Sequence, residues 1–348
     1  MNSINPNNKI KICCIVFLCT LGAHAAPLPS TPDNAALLYY QAFLLVPEYD
    51  VKLIHPVLNG ADPNQSVRDH VENYREAIEL ADTATKIPNC NWGIMRSQLG
   101  RSSANVIGPL RQLTFLLELD ARILTADGDY LPALERSLSI RRLAQHIADE
   151  AIIGYLVSLP IHNRAYLSIC HTLGSMSPDA EMLTWLQGQL SGVQGPPPSP
   201  AGAMETTLKD NVEFLSTHPD VIATWRENAM ELIEDENTRQ EIIDLTDEEL
   251  IALAEQSYNS FLASVNRVIG SNMPYQQKYL ELQVLVEELM DYDIGDPVGM
   301  ISSYLSSDVV RQHSLYVGSI ARFNATRTAI EVYLINANTG QLPDTLPA

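Results

Sequence analysis

The chain has 348 residues, 46% of them hydrophobic and 18% charged, a globular composition with length for one large or two moderate domains. Its 42 acidic residues against 22 basic ones give a formal charge of −20. Such an excess repels nucleic acid and anionic lipid, whose phosphates must be met by Lys and Arg, and argues against both as partners.

The first 25 residues have the pattern of a signal peptide. Lys9 and Lys11 form the positive n-region, residues 12–22 are apolar but too few to span a bilayer comfortably, and Ala23-His24-Ala25 supplies small residues for cleavage before Ala26. An uncleaved N-terminal anchor is the alternative. No later stretch is apolar over a membrane-spanning length, so the mature chain is expected outside the cytoplasm, secreted or periplasmic. Cleavage leaves Cys90 and Cys170 alone of the five cysteines. Export permits a bridge between them, while the apolar neighbours of Cys170 (Tyr166, Leu167, Ile169, Leu173) suit a buried free thiol. Both readings stand open.

Thr31-Pro32-Asp33 opens the first expected helix, which Pro47 stops. Pro56, Gly60 and Pro63 mark a loop, and a second helix is expected over 66–85, with Val67, Val71, Tyr74, Ile78 and Ala81 at helical spacing. The segment from Pro88 to Gly93 is irregular, with Trp92 as a loop anchor. From Pro109 a hairpin of two helices runs over 110–148 around the turn Asp127-Gly128-Asp129. Leu110, Leu113, Leu117, Ala121 and Leu124 lie on one of its faces, Leu131, Leu134 and Leu138 on the other. Helices follow over 151–173, kinked at Pro160, and after the cap Ser177-Pro178-Asp179.

Residues 192–202, rich in Pro and Gly, read as a semi-rigid linker. The division expected is therefore a signal peptide at 1–25, an N-terminal α-helical domain at 26–191, the linker at 192–202, and an acidic α-helical region at 203–348 packed on the first. Residues 204–300 hold 21 acids and five bases, a net of −16. Helices are expected there over 219–236, from a Thr246/Glu249 capping box to 269, over 274–290, and then over 308–336. No period-2 run suggests a strand. The fold class expected is all-α, built of stacked antiparallel helix hairpins.

Around the turn, Gly128, Asp129, Tyr130 and Ala133 fill the places of the Gly-Asp-Tyr turn and following small residue of a tetratricopeptide repeat, which the hairpin resembles over about one repeat. The chain as a whole resembles exported, helix-rich bacterial proteins of unknown function, through its signal peptide, Asp33-Asn34-Ala35-Ala36-Leu37-Leu38-Tyr39-Tyr40 and Cys90-Asn91-Trp92-Gly93. That resemblance implies export and a helical fold and brings no activity.

For chemistry the inventory is thin: there is no metalloprotease helix, nucleophile elbow or phosphate-cradling glycine loop. His162 and His171 would need a further ligand to hold a metal and are read as core or surface residues. Asp120 is the candidate buried acid, answered by Arg141 or Arg142. Glu248-Glu249 and Glu287-Glu288 are assigned to solvated faces. Asp291, Asp293 and Asp296 suggest calcium, but glycine falls one place early and Ser302 stands where the loop needs glutamate. No catalytic or cofactor-binding residue is assigned, no cofactor is expected, and the metal question is left open. The function expected is that of an exported binding or scaffold protein, with an unidentified protein or envelope partner, a basic one where it meets the acidic half. The alternative is an extracytoplasmic hydrolase using paired carboxylates in an interhelical cleft.

Overall fold

The computed structural model describes residues 32–46, 48, 50–93, 102–148, 151–191, 197–233, 236–290 and 309–346. The signal-peptide segment, residues 192–196 of the linker and the calcium-like turn at Asp291, Asp293 and Asp296 lie outside these. Among the described residues every regular element is a helix and no strand occurs, so the fold is all-α. No helix of the described residues is long and apolar enough to cross a membrane.

Helix α1 (Ala35–Phe43) starts at Asn34, whose side chain accepts from the Ala36 amide, and ends short of Pro47. Helix α2 (Val51–Leu58) forms where a loop is expected. Asp50 caps it by accepting from the Lys52 and Leu53 amides, and burial of Ile54 and Val57 outweighs the single helical bond lost at Pro56. The helix expected over 66–85 is two, α3 (Gln65–Asn73) and α4 (Arg75–Thr85), because Tyr74 leaves the helical region at φ −115°, ψ 21°. Helix α5 (Ser102–Asp127) begins before Pro109 rather than at it. Buried Val106, one turn before Leu110, carries its apolar face across the proline.

Helices α6 (Tyr130–Ala148), α7 (Ala151–Ser175, continuous through Pro160) and α8 (Ala180–Ser191) follow. The linker is shorter than expected: α9 (Pro200–Thr217) starts inside it, with Pro200 in the first turn, where a missing amide hydrogen costs nothing. The helix expected over 219–236 is α10 (Pro219–Leu232), and a further helix, α11 (Glu236–Asp244), succeeds it. Helix α12 (Asp247–Gly270) carries the expected capping box: the Glu249 amide donates to Thr246 Oγ1 at 3.2 Å and the Thr246 amide to Glu249 Oε2 at 2.8 Å. Helices α13 (Tyr275–Met290) and α14 (Val309–Thr339) complete the described chain.

The pairings fix the directions. Across α6 and α7, Ser137 meets Ser168 at 2.7 Å and Tyr130 meets Ser175, so the partner number falls as the residue number rises and the helices are antiparallel. Across α5 and α7, Glu118 meets Arg164 and Thr125 meets Thr172, the numbers rising together, so these run parallel. Helix α14 likewise runs parallel to α7, since Tyr166 stacks near Phe323 and Cys170 lies 3.6 Å from Thr326. Helix α7 is therefore the spine: α5 and α6 pack on it from one side, α9 on its N-terminal half, and α14 along it. Three cores result. One joins α1–α7 around Tyr39, Ile78 and Leu113. Another joins Tyr155 and Leu159 to Met204, Tyr258 and Val309. The third joins Leu138, Tyr166 and Leu186 to Phe323 and Ile330. The last two draw residues from both sides of the proline-rich stretch.

The two motifs that carry the family resemblance pack on each other. The Asn91 amide donates to Asn34 Oδ1 and Asn34 Nδ2 donates to the Asn91 carbonyl, both at 2.8 Å. The Trp92 ring stacks on Tyr39 with centroids 5.1 Å apart, and its Nε1 donates to the His146 carbonyl at 2.8 Å. Trp92 is the loop anchor its surroundings predict.

Candidate functional site

Three charged residues of α5, Glu118, Asp120 and Arg122, sit at two-residue spacing in its mainly apolar middle, which sends successive ones to nearly opposite sides. Asp120, 1% exposed, turns toward α4 and α6, where it pairs with Arg75 at 2.7 Å and Arg136 at 2.8 Å. Arg136 also reaches Asp82 at 3.0 Å. Burial pushes the Asp82 carboxyl up, but Lys86, Ser139 and Arg136 outweigh it and hold the group below its usual value. The buried acid is thus confirmed and its expected partners corrected. Arg141 instead turns to Tyr166 and Phe323, its guanidinium 5.6 Å from the Phe323 ring, and Arg142 donates to Gln189. The separation of five positions along α6 decides this, since Arg136 lies more than a turn nearer the hairpin than Arg141.

Glu118 turns the other way, toward α7. One oxygen accepts from Arg164 at 2.8 Å, and the other lies 3.6 Å from Arg122. Arg122 is 7% exposed and its Nε has no hydrogen-bond partner. Burial lowers its pKa because a cation loses hydration there, against the pull of Glu118.

Arg122 lines a cavity of about 250 Å³ beside the hairpin turn. Its walls come from the last turns of α5 (Thr125, Ala126) and α7 (His171, Ser175), from Tyr130 at the start of α6, and from the α2–α3 loop at Asp62. The frame around it is tied. Gly128, at φ +84°, makes the turn. Arg68 grips Asp127 through two bonds of 2.7 and 2.8 Å, Thr125 Oγ1 meets Thr172 Oγ1 at 2.9 Å, and the Tyr130 hydroxyl donates to the Ser175 carbonyl at 3.1 Å. His171 lines the cavity with both of these charged groups, Arg122 and Asp62. Burial and Arg122 lower its pKa, and Asp62 opposes them, leaving a neutral imidazole below the ordinary histidine value.

The other sequence candidates do not converge there. His162 and His171, nine residues apart on one helix, point about 180° apart at 100° per residue and cannot share a metal. His162 is fully buried, and burial with nearby Arg141 lowers its pKa to about 3. No group of three or more metal-ligating side chains occurs among the described residues. Glu248, Glu249, Glu287 and Glu288 are exposed. No disulfide joins Cys90 and Cys170; Cys170 is exposed rather than buried, facing Thr326 at the edge of the α7–α14 seam.

Arg122 and Asp62 carry no sequence motif. The Glu118–Arg122 spacing inside an apolar helix was the available signal for a buried charge, and nothing in the sequence ties Asp62 to a helix sixty residues on. No protein-family model, curated protein or solved structure matches the chain.

Proposed function

We propose that this chain is an exported α-helical binding protein whose ligand site is the cavity at the hairpin turn, and that it holds its ligand without transforming it. The observation that carries the reading is how the buried charge of α5 is used. A carboxylate-pair hydrolase needs two ionisable acids facing one cleft within roughly 10 Å. Glu118 and Asp120 instead diverge on opposite sides of their helix, and each is committed to arginines. What remains available is the guanidinium of Arg122, which lines a cavity with tied walls and makes no hydrogen bond at its buried Nε. The signal-peptide pattern around Lys9, Lys11 and Ala23-His24-Ala25 supports placement outside the cytoplasm, secreted or periplasmic.

The test is a thermal-shift screen of the purified chain against small polar metabolites, with each hit recovered and analysed after incubation. The reading expects a stabilising ligand returned chemically unchanged. A hit consumed during incubation, or cell-wall glycan cleaved by the wild type and not by Glu118→Gln, contradicts it.

A scaffold role is the second reading. It rests on the exposed acids of α12 and α13, Glu248, Glu249, Glu255, Glu281, Glu287 and Glu288, which suit a basic partner. Capture of such a partner would weaken with added salt, and salt-independent capture argues against it.

A further inference from the structure

The cavity at the hairpin turn has a size and a charge pattern that together specify a class of ligand, given the binding role proposed above. At about 250 Å³ it falls below the range of drug-sized sites, roughly 300–1,000 Å³, so it suits a molecule of few heavy atoms rather than a glycan chain or peptide segment. Its inner wall is cationic. Arg122 is more than nine-tenths buried, and its Nε has no acceptor. Its one carboxylate neighbour, Glu118, stands off at 3.6 Å while binding Arg164 at 2.8 Å. A buried donor left this way calls for an acceptor, and a guanidinium is best met by a carboxylate or a similar planar anion.

The lining also holds an anion. Asp62 projects from the α2–α3 loop and makes no ion pair or side-chain hydrogen bond among the described residues. Two helix C-termini, those of α5 and α7, meet there against the single N-terminus of α6, adding to the negative character of that end. His171 lines the same cavity and feels both charges. Ala61, Pro63 and Ala126 leave a small apolar margin. A simple anion would be repelled by Asp62, and a simple cation by Arg122. A molecule carrying both charges satisfies both groups.

We infer that the cavity binds a small α-amino acid, its carboxylate on Arg122 and its ammonium on Asp62, with His171 hydrogen-bonding between them.

The test is isothermal titration of the full purified chain with glycine, L-alanine and L-serine, and with the half-ligands acetate and methylamine. At least one amino acid should bind, each half-ligand about tenfold or more weakly, since each forgoes a charge-assisted hydrogen bond. Asp62→Asn changes an exposed loop residue and should leave the fold intact; it should weaken the amino acid about tenfold or more while acetate, no longer repelled, binds no more weakly than before. Arg122→Gln should abolish both, with circular dichroism confirming that the helices persist. Absence of binding by all three amino acids overturns the inference. So does acetate binding as tightly as the amino acid with no effect of Asp62→Asn, although a small ligand would still occupy the cavity and the binding role would stand. Amino acid consumed during the titration overturns the binding role as well.

Discussion

Replacing Asp120 by asparagine probes the densest charge network in the molecule. Asp120 is 1% exposed and holds Arg75 at 2.7 Å and Arg136 at 2.8 Å, tying α4 and α6 to α5. Asparagine keeps the shape and removes the charge, leaving two guanidinium groups facing a neutral amide. Removing one partner of a buried pair costs about 3–5 kcal/mol, because the remaining charge stays desolvated. Two features place this site at the lower end. Arg75 is 35% exposed and keeps Glu72 at 3.3 Å, and Arg136 keeps Asp82 at 3.0 Å. A loss of about 3 kcal/mol is therefore expected from equilibrium urea unfolding followed by circular dichroism. Adding Arg136→Met removes one of the stranded cations, so the double variant should be about 1–2 kcal/mol more stable than the sum of the single effects. A loss below about 0.5 kcal/mol for Asp120→Asn, with additive behaviour in the double variant, would refute the argument.

Other predictions follow from the buried aromatic and imidazole groups and the thiols. Trp92→Ala removes both the stack on Tyr39 and the bond to the His146 carbonyl, and should lower stability by about 3–5 kcal/mol in the same unfolding assay. Burial lowers the pKa of His146 to about 4 and that of His162 to about 3, whereas unfolded histidine titrates near 6.5. The unfolded chain therefore takes up protons first as pH falls below about 6.5. Stability should then drop by up to about 1.4 kcal/mol per pH unit per histidine, levelling off below the folded values. His162→Leu should make that slope shallower without loss at neutral pH, since neither ring nitrogen of His162 has a hydrogen-bond partner; an unchanged slope contradicts the assignment. Reducing agent should leave the melting temperature unchanged, and Cys170 should be modified by a thiol reagent in the folded chain, because no disulfide joins the two cysteines and Cys170 is exposed.

The class of the fold was legible because long apolar faces at helical spacing, such as Leu110, Leu113 and Leu117, have only one economical reading. Caps with a side-chain acceptor at a fixed offset were legible too, as at Thr246/Glu249. Prolines misled in both directions. Pro56 and Pro109 lie inside helices that local capping or burial sustains, and Pro200 starts a helix where a linker was expected. The buried acid was identified from its place on α5, yet its partners were misassigned, because partner choice depends on how far along α6 a side chain lies from the turn. Arg122 and Asp62 were out of reach. Their encounter depends on how the α2–α3 loop settles against the hairpin, a tertiary event with no periodic signature.

The most direct test of the account is a crystal structure of the chain grown with the amino acid that titrates most tightly. The account predicts that molecule in the hairpin-turn cavity, intact, with a carboxylate oxygen accepting from the Arg122 guanidinium and the ammonium donating to Asp62. A cavity holding only water, with the amino acid bound elsewhere on the surface, would contradict it.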